Sequence, residues 1–296
     1  MTRLGIVGPG RAGTLLATAA SRAGWRVVGI AGGSDGSASA LQALVAGVRR
    51  CETPVQLADM VDTLVLAVPD DRIAGVAGEL AVSDRLGESH RVVHLSGAHG
   101  LDVLRRVALT GARIAACHPA ITIPSGATDP DLLVGAAWGV SCASIDRDWV
   151  GRLVTDLGGD VVEVPDARRP LYHAALTVGS NGVGAAVATA RQLLLAARID
   201  HPDRLLGPLI EASAANVLAE GASSLTGPVV RGDVGTIASH LDAIGGGRLA
   251  DAYRLLQRAV LCQVEVGLDA SRAAELAALL ESRGEDRRER SDGGGS

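Results

Sequence analysis

The stretch LGIVGPGRAGTLLATAASRAG, residues 4–24, decides the fold. It opens with a short apolar run of strand type (4–8) and continues as a helical stretch from Ala12 to Ala23. The turn between them, G-P-G-R-A-G, sets Gly8, Gly10 and Gly13 in G-x-G-x-x-G spacing. That spacing is weak by itself, but a strand before it and a helix after it make it specific. Gly8 permits the tight turn, Gly10 lets the backbone approach a pyrophosphate, and Gly13 lets the helix pack closely on the strand. The helix start, with Pro9, Arg11 and Ala12 in the turn, supplies amides and the positive end of a dipole. A merely glycine-rich turn is disfavoured by the strand, the spacing and the N-terminal position.

Outward from this turn, strand-type runs recur: RVVGIA (26–31), TLVLAV (63–68), RVVHLS (91–96), ARIAAC (112–117), AAWGVSC (136–142) and DVVEV (160–164). Most are almost continuously apolar, which implies burial on both faces. Helical segments such as Asp71 to Leu80 lie between several of them, so the reading is an α/β fold with a parallel sheet covered on both sides. After Pro165 the strand signal stops, and the chain to about Glu281 reads as helices broken at Gly207-Pro208, Gly227-Pro228 and Gly245-Gly246-Gly247. The expected organisation is a dinucleotide-binding domain over 1–165, an all-helical domain over 166–283, and a charged, glycine-rich, disordered tail over 284–296.

Composition narrows the chemistry. The chain has 28 basic and 33 acidic residues and a formal charge of −5, which recruits neither nucleic acid nor an anionic membrane. It contains no lysine, so a Schiff-base mechanism and a Walker-type phosphate loop are excluded. Phenylalanine is absent and aromatics make up 2%, too few for stacking platforms on single-stranded nucleic acid. Cys51, Cys117, Cys142 and Cys262 are widely spaced and form no zinc knuckle, so no metal is expected. His90 and His94 lie about 13 Å apart on an extended strand, too far to share an ion. No G-x-S-x-G elbow appears. The N-terminus lacks the order of a secretion signal, and no stretch makes a good membrane span, so a cytoplasmic location is expected.

The end of the second strand carries Gly32, Gly33 and Ser34 where an NAD site would place an acidic residue. This favours NADP, with Ser34 near the 2′-phosphate. No arginine adjoins Ser34 in sequence, and Asp35 keeps NAD open. Ala67, Val68 and Pro69 pass beneath the nicotinamide ribose, while Asp70 or Asp71 caps the next helix. Three stretches are candidates to face the nicotinamide. Ser96 and Gly97 end one strand, where the hydroxyl either binds a carboxylate or closes a Ser-Gly turn. His118-Pro119 ends another, where the imidazole is a proton donor or a loop cap. In LYHAALTVGSN, a spacing of four sets His173, Thr177 and Asn181 on one face of an otherwise apolar helix. Such groups need partners, and a substrate carbonyl or carboxylate supplies them, with His173 as proton donor and Asn181 orienting the substrate. A polar stripe satisfied by another helix is the alternative. Further on, Thr226 lies at a helix junction, and Arg231 pairs either with a substrate carboxylate or with Asp233.

GIVGPGRAG, LAVPDD, HLSGA, His118-Pro119, YHAALTVGSN and LTGPVVRGD followed by His240 together resemble one family. It comprises Rossmann-like proteins with the C-terminal helical domain DUF2520, within the 6-phosphogluconate dehydrogenase-like superfamily, and the resemblance covers about residues 3–280. It implies a homodimer with the active site between sheet and helical domain. It also brings in the alternative ketopantoate reductases of bacterial pantothenate synthesis. Two departures stand out. β-Hydroxyacid dehydrogenases and the usual ketopantoate reductases carry a lysine four residues before the asparagine, where this chain has Thr177, so His173 is the chosen acid. Family members often carry an aromatic residue soon after His-Pro, where this chain reads Ala120, Ile121, Thr122 and Ile123.

The leading expectation is an NADPH-dependent reductase of a small 2-keto acid, first 2-dehydropantoate (ketopantoate), with Ser96 or Arg231 on the carboxylate. Alternatives are reduction of a cyclic imine such as pyrroline-5-carboxylate, with Thr226 near the nitrogen, and a non-catalytic NADP(H) sensor.

Overall fold

The computed structural model describes residues 2–282. The expected disordered tail, 284–296, lies outside the described residues. The chain divides into two compact units, the first ending at Gly179 and the second beginning at Ser180.

In the first unit the strands are β1 (Arg3–Val7), β2 (Arg26–Ala31), β3 (Arg49–Cys51), β4 (Thr63–Leu66), β5 (Arg91–His94), β6 (Arg113–Pro119), β7 (Ala137–Cys142) and β8 (Asp160–Glu163). They form one eight-stranded sheet in the order β3-β2-β1-β4-β5-β6-β7-β8. Helices α1 (Arg11–Arg22), α2 (Asp35–Leu44), α3 (Pro54–Ala58), α4 (Asp70–Ala81), α5 (Arg105–Ala108), α6 (Arg147–Asp156) and α7 (Arg169–Thr177) complete the unit. The strand order reverses between β1 and β4, and a ligand crevice forms at the carboxyl ends of strands on either side of such a point.

The β period sorts the core into two layers. Leu4, Ile6, Val65 and Val93 pack with Leu15 and Leu16 of α1 and with Trp149 and Leu153 of α6. Val7, Leu64, Leu66 and Val92 pack on the other face with Leu57 of α3 and with Ile73 and Leu80 of α4. Each fully buried aliphatic side chain contributes about 1.5–3 kcal/mol. Thr53 caps α3 through the amide of Gln56, with Pro54 in its first turn, and Ser34 caps α2 through the amide of Ser37.

Three features depart from the sequence reading. Strand β3 has only three residues, two of them arginine, too short and too charged for a periodicity signal. Strand β7 runs antiparallel to β6, because residues 120–136 contain no crossover helix to carry the chain back to the other end of the sheet. Helix α6 then makes that crossover, and β8 lies parallel to β7. As the last strand, β8 is exposed rather than buried on both faces, with Val161 at 42% exposure.

The second unit holds α8 (Val183–Ala196), α9 (Pro202–Glu220), α10 (Val234–Ile244), α11 (Arg248–Val264) and α12 (Ala270–Glu281). Its core joins Val229, Ile237, Leu241, Tyr253, Leu261, Leu276 and Leu280. The break expected at Gly207-Pro208 does not occur, since α9 runs through Pro208 and forgoes the hydrogen bond that proline cannot donate. The breaks at Gly227-Pro228 and Gly245–Gly247 are present, with positive φ at Gly227, Gly245 and Gly247.

Candidate functional site

The glycine turn has the shape that a dinucleotide requires. Gly8 sits at φ +96°, its amide donates to Ala31 O at 2.9 Å, and a Cβ there would lie 2.7 Å from Ala67 O. A Cβ at Gly13 would collide with the carbonyl oxygen of Gly8, so helix and turn touch backbone to backbone. Gly10 differs: a Cβ there would meet nothing within 4 Å. Gly10 also starts α1 with no side-chain cap, so no capping side chain occupies the first amides. These features fit a pyrophosphate. Pro9 is buried, with its ring 2.8 Å from where a Cβ of Gly33 would be. Arg11 donates to Ile123 O at 3.1 Å, and Ala12 is half-buried. Ala67 and Val68 press on Gly8, and Pro69 leads into α4.

At the end of β2, the Ser34 hydroxyl accepts from Ser37 N at 3.2 Å. Beside it, Asp35 pairs with Arg50 at 2.6 Å. Strand β3 pairs with β2, Arg50 opposite Ile30, and so brings a guanidinium to the start of α2. Sequence adjacency showed no arginine near Ser34, because this one arrives by strand pairing.

A second cluster surrounds Gly97, beyond the end of β5. The Ser96 hydroxyl donates to Asp70 Oδ2 at 2.8 Å and accepts from the amides of Ala98 and His99 at 3.2 and 3.1 Å. This serine closes a turn and ties β5 to the start of α4; its one hydrogen is used. Gly97 is buried, and a Cβ there would lie 2.6 Å from Cδ2 of His173 and 3.1 Å from Nε2 of His118. The two imidazoles stand edge to face with centroids 6.0 Å apart. Tyr172 Oη lies 3.0 Å from His118 Nδ1. Burial, then the charge of Arg169, then His173 depress the pKa of His118 to about 4, against an opposing pull from Asp70. His94 is depressed to about 4, chiefly by burial; it accepts from Ser96 N on Nδ1, and its Nε2 contacts Gly100 O at 3.0 Å. Thr177 is exposed, and its hydroxyl donates to His173 O at 2.9 Å.

The description "Rossmann-like domain" matches residues 1–119, and "Domain of unknown function (DUF2520)" matches residues 136–260. The chain carries both domains. No curated protein matches it. Among solved structures it is similar to a "putative NADP oxidoreductase" from Bacteroides fragilis, with 21% identity, TM-score 0.72, and 88% of this chain and 97% of that one covered. It is also similar to an imine reductase from Myxococcus stipitatus in complex with NADP+, with 16% identity, TM-score 0.66, and 94% and 100% covered. The third is a pyrroline carboxylate reductase from Plasmodium falciparum with NADP bound, with 16% identity, TM-score 0.56, and 95% and 98% covered. At these identities the likeness is one of fold.

The remaining predicted residues lie within the DUF2520 match. Asn181 lies within a π-turn over Val178–Gly182, so the α-helical period behind the shared-face reading does not run through to it. Asn181, Thr226 and Arg231 are exposed. Asp233 spends its carboxylate on the amide and hydroxyl of Thr236, capping α10. His240 Nδ1 lies 2.8 Å from the hydroxyl of Tyr253. Among the described residues no cluster of three or more His, Cys, Asp or Glu can hold a metal, and no helix is long and apolar enough to cross a membrane. Sequence reasoning passed over Arg50, Asp70, Arg169 and Tyr172 as site residues. Tyr172 adjoined a chosen histidine, whereas the partners of the other three come from distant segments.

Proposed function

We propose that the chain is an NADP-dependent oxidoreductase that reduces the carbonyl of a small 2-keto acid, with ketopantoate the first substrate to test. The observation that carries this is the convergence of His118 and His173 on Gly97, at the strand edge that also carries the glycine turn. Two imidazoles beside a dinucleotide-shaped turn, one to donate a hydrogen bond and one to give a proton, suit reduction of a polar double bond. Bound NADPH supplies the hydride. His173 gives the proton to the developing alkoxide, and Gly97 admits both rings close to the backbone. Arg50 with Ser34 favours a 2′-phosphate, in keeping with the NADP named for similar structures. Replacement of Arg231, Thr226 and Asn181 tests their assignment to the substrate carboxylate and its orientation. Ser96 instead holds the turn.

The second reading, imine reduction, is favoured by the similar imine and pyrroline carboxylate reductases. We also assign the protein to the cytoplasm, where the free thiols of Cys51, Cys117, Cys142 and Cys262 stay reduced. A homodimer is part of the proposal, supported by apolar side chains exposed one turn apart on α9, Leu205 at 56% and Leu209 at 62%.

The test is NADPH oxidation with ketopantoate, other 2-keto acids and pyrroline-5-carboxylate, for wild type and His173→Ala. Keto-acid turnover reduced by about 10²–10⁴-fold in the variant supports the acid assignment. Turnover only on the imine, surviving His173→Ala, replaces the first reading with the second. NADPH binding without turnover on any substrate rejects both.

A further inference from the structure

Arg169, the first residue of α7, is fully buried. Its guanidinium donates to Ser96 O at 2.7 Å, Gly139 O at 3.3 Å and Ser141 Oγ at 3.0 Å, and its Nε has no partner. Among the described residues no carboxylate forms an ion pair with it; Asp166 acts on it only from a distance. Arginine stays protonated under these conditions, so the fold keeps an uncompensated positive charge here, where low polarity carries its field further than in water.

Tyr172, three residues along α7, stands next to that charge, with the guanidinium carbon 5.8 Å from its ring centre. Its ring fills the space that a Cβ of Gly139 would need. Burial raises the pKa of this phenol, so it keeps its hydrogen and needs an acceptor. The acceptor within reach is Nδ1 of His118. That hydrogen bond selects the tautomer: His118 carries its own hydrogen on Nε2, the atom turned toward Gly97.

We propose that Tyr172 and Arg169 are positioning residues that hold His118 as a neutral Nε2–H imidazole, so that His118 donates a hydrogen bond to the substrate oxygen and His173 alone supplies the proton. The substrate part rests on the reductase reading above. Every charged or titratable group facing His118 fits the assignment. Arg169 and His173 oppose a second proton, Tyr172 occupies Nδ1, and Asp70, which favours protonation, has its Oδ2 engaged by Ser96. A neutral donor keeps its hydrogen bond unchanged across the pH range in which a free histidine titrates, while the proton comes from a different ring.

The experiment is two-bond proton–nitrogen correlation NMR on the full chain labelled with nitrogen-15 histidine, from pH 5.5 to 8. His118 is assigned by its loss in His118→Gln. The expected wild-type signal is the single neutral Nε2–H pattern at every pH. In Tyr172→Phe that pattern gives way to mixed tautomers, while the pattern of His94, held by Ser96 and Gly100, stays unchanged and reports an intact fold. An Nδ1–H pattern or a protonated His118 at pH 7 in wild type overturns the proposal without recourse to any variant. So does a Tyr172→Phe spectrum with His118 unchanged. The readout needs no substrate, so the two proposals fail separately: turnover without the fixed tautomer rejects the positioning roles, and a fixed tautomer without turnover rejects the reductase reading.

Discussion

Arg50 and Asp35 form the single contact on which the proposed cofactor preference turns. The pair is solvent-exposed, Asp35 at 91%, so as an ion pair it contributes little to stability. In the proposed site the role of the guanidinium is to pair with a 2′-phosphate in place of Asp35. Arg50→Ala is expected to weaken NADPH binding by about 10- to 100-fold and to leave NADH binding nearly unchanged, because a charge-assisted hydrogen bond contributes about 1.5–3 kcal/mol and only the phosphate makes it. Fluorescence titration of both nucleotides against wild type and variant decides this; equal losses for the two would remove Arg50 from the phosphate site. Gly13 is the opposite case, a residue chosen for what it lacks. Gly13→Ala drives a methyl into the carbonyl oxygen of Gly8, backbone that cannot swing aside. An overpacking cost of about 1–3 kcal/mol, read by urea titration, should accompany loss of dinucleotide binding.

Among the elements, β5 with its following turn carries the most consequence. His94 is its last residue, wholly buried, bonded to Ser96 N and Gly100 O, and it shapes the turn that presents Gly97. Its pKa in the folded protein, about 4, lies below the ordinary value of 6.5, so the unfolded chain binds the proton more readily. The resulting stability is complete above about pH 6.5 and is lost as the pH falls toward 4, by about 3 kcal/mol for this group. Denaturant titrations at pH 7.5 and 4.5 should show the loss, and His94→Gln should flatten it. An equal acid loss in that variant would assign the effect elsewhere. The legibility of elements follows the same physics. Strands β1, β2, β4, β5 and β6 were readable because burial on both faces leaves long apolar runs, whereas β3 borrows its strand character from β2 and shows no pattern of its own. The direction of β7 was not readable from apolarity, since a strand's hydrophobic pattern is the same whichever way it runs.

At the scale of the whole molecule, the exposed apolar side chains of α9 bear on assembly. If a second copy covers them, Leu205→Glu combined with Leu209→Glu should convert a dimer into a monomer in sedimentation velocity at micromolar concentration, since two buried carboxylates without partners oppose association strongly. Unchanged sedimentation would place the interface elsewhere or remove it. By itself the sequence determined the glycine turn, the alternation of strand and helix, the absence of lysine chemistry, and the histidines of the site, because each rests on local spacing or residue type. Tertiary structure alone decided that Ser96 closes a turn onto Asp70, that Arg50 reaches the start of α2, and that a buried arginine and a tyrosine surround His118. Those contacts join residues 15 to 73 positions apart, and which polar groups must find each other is settled by the desolvation of packing, not by their order along the chain.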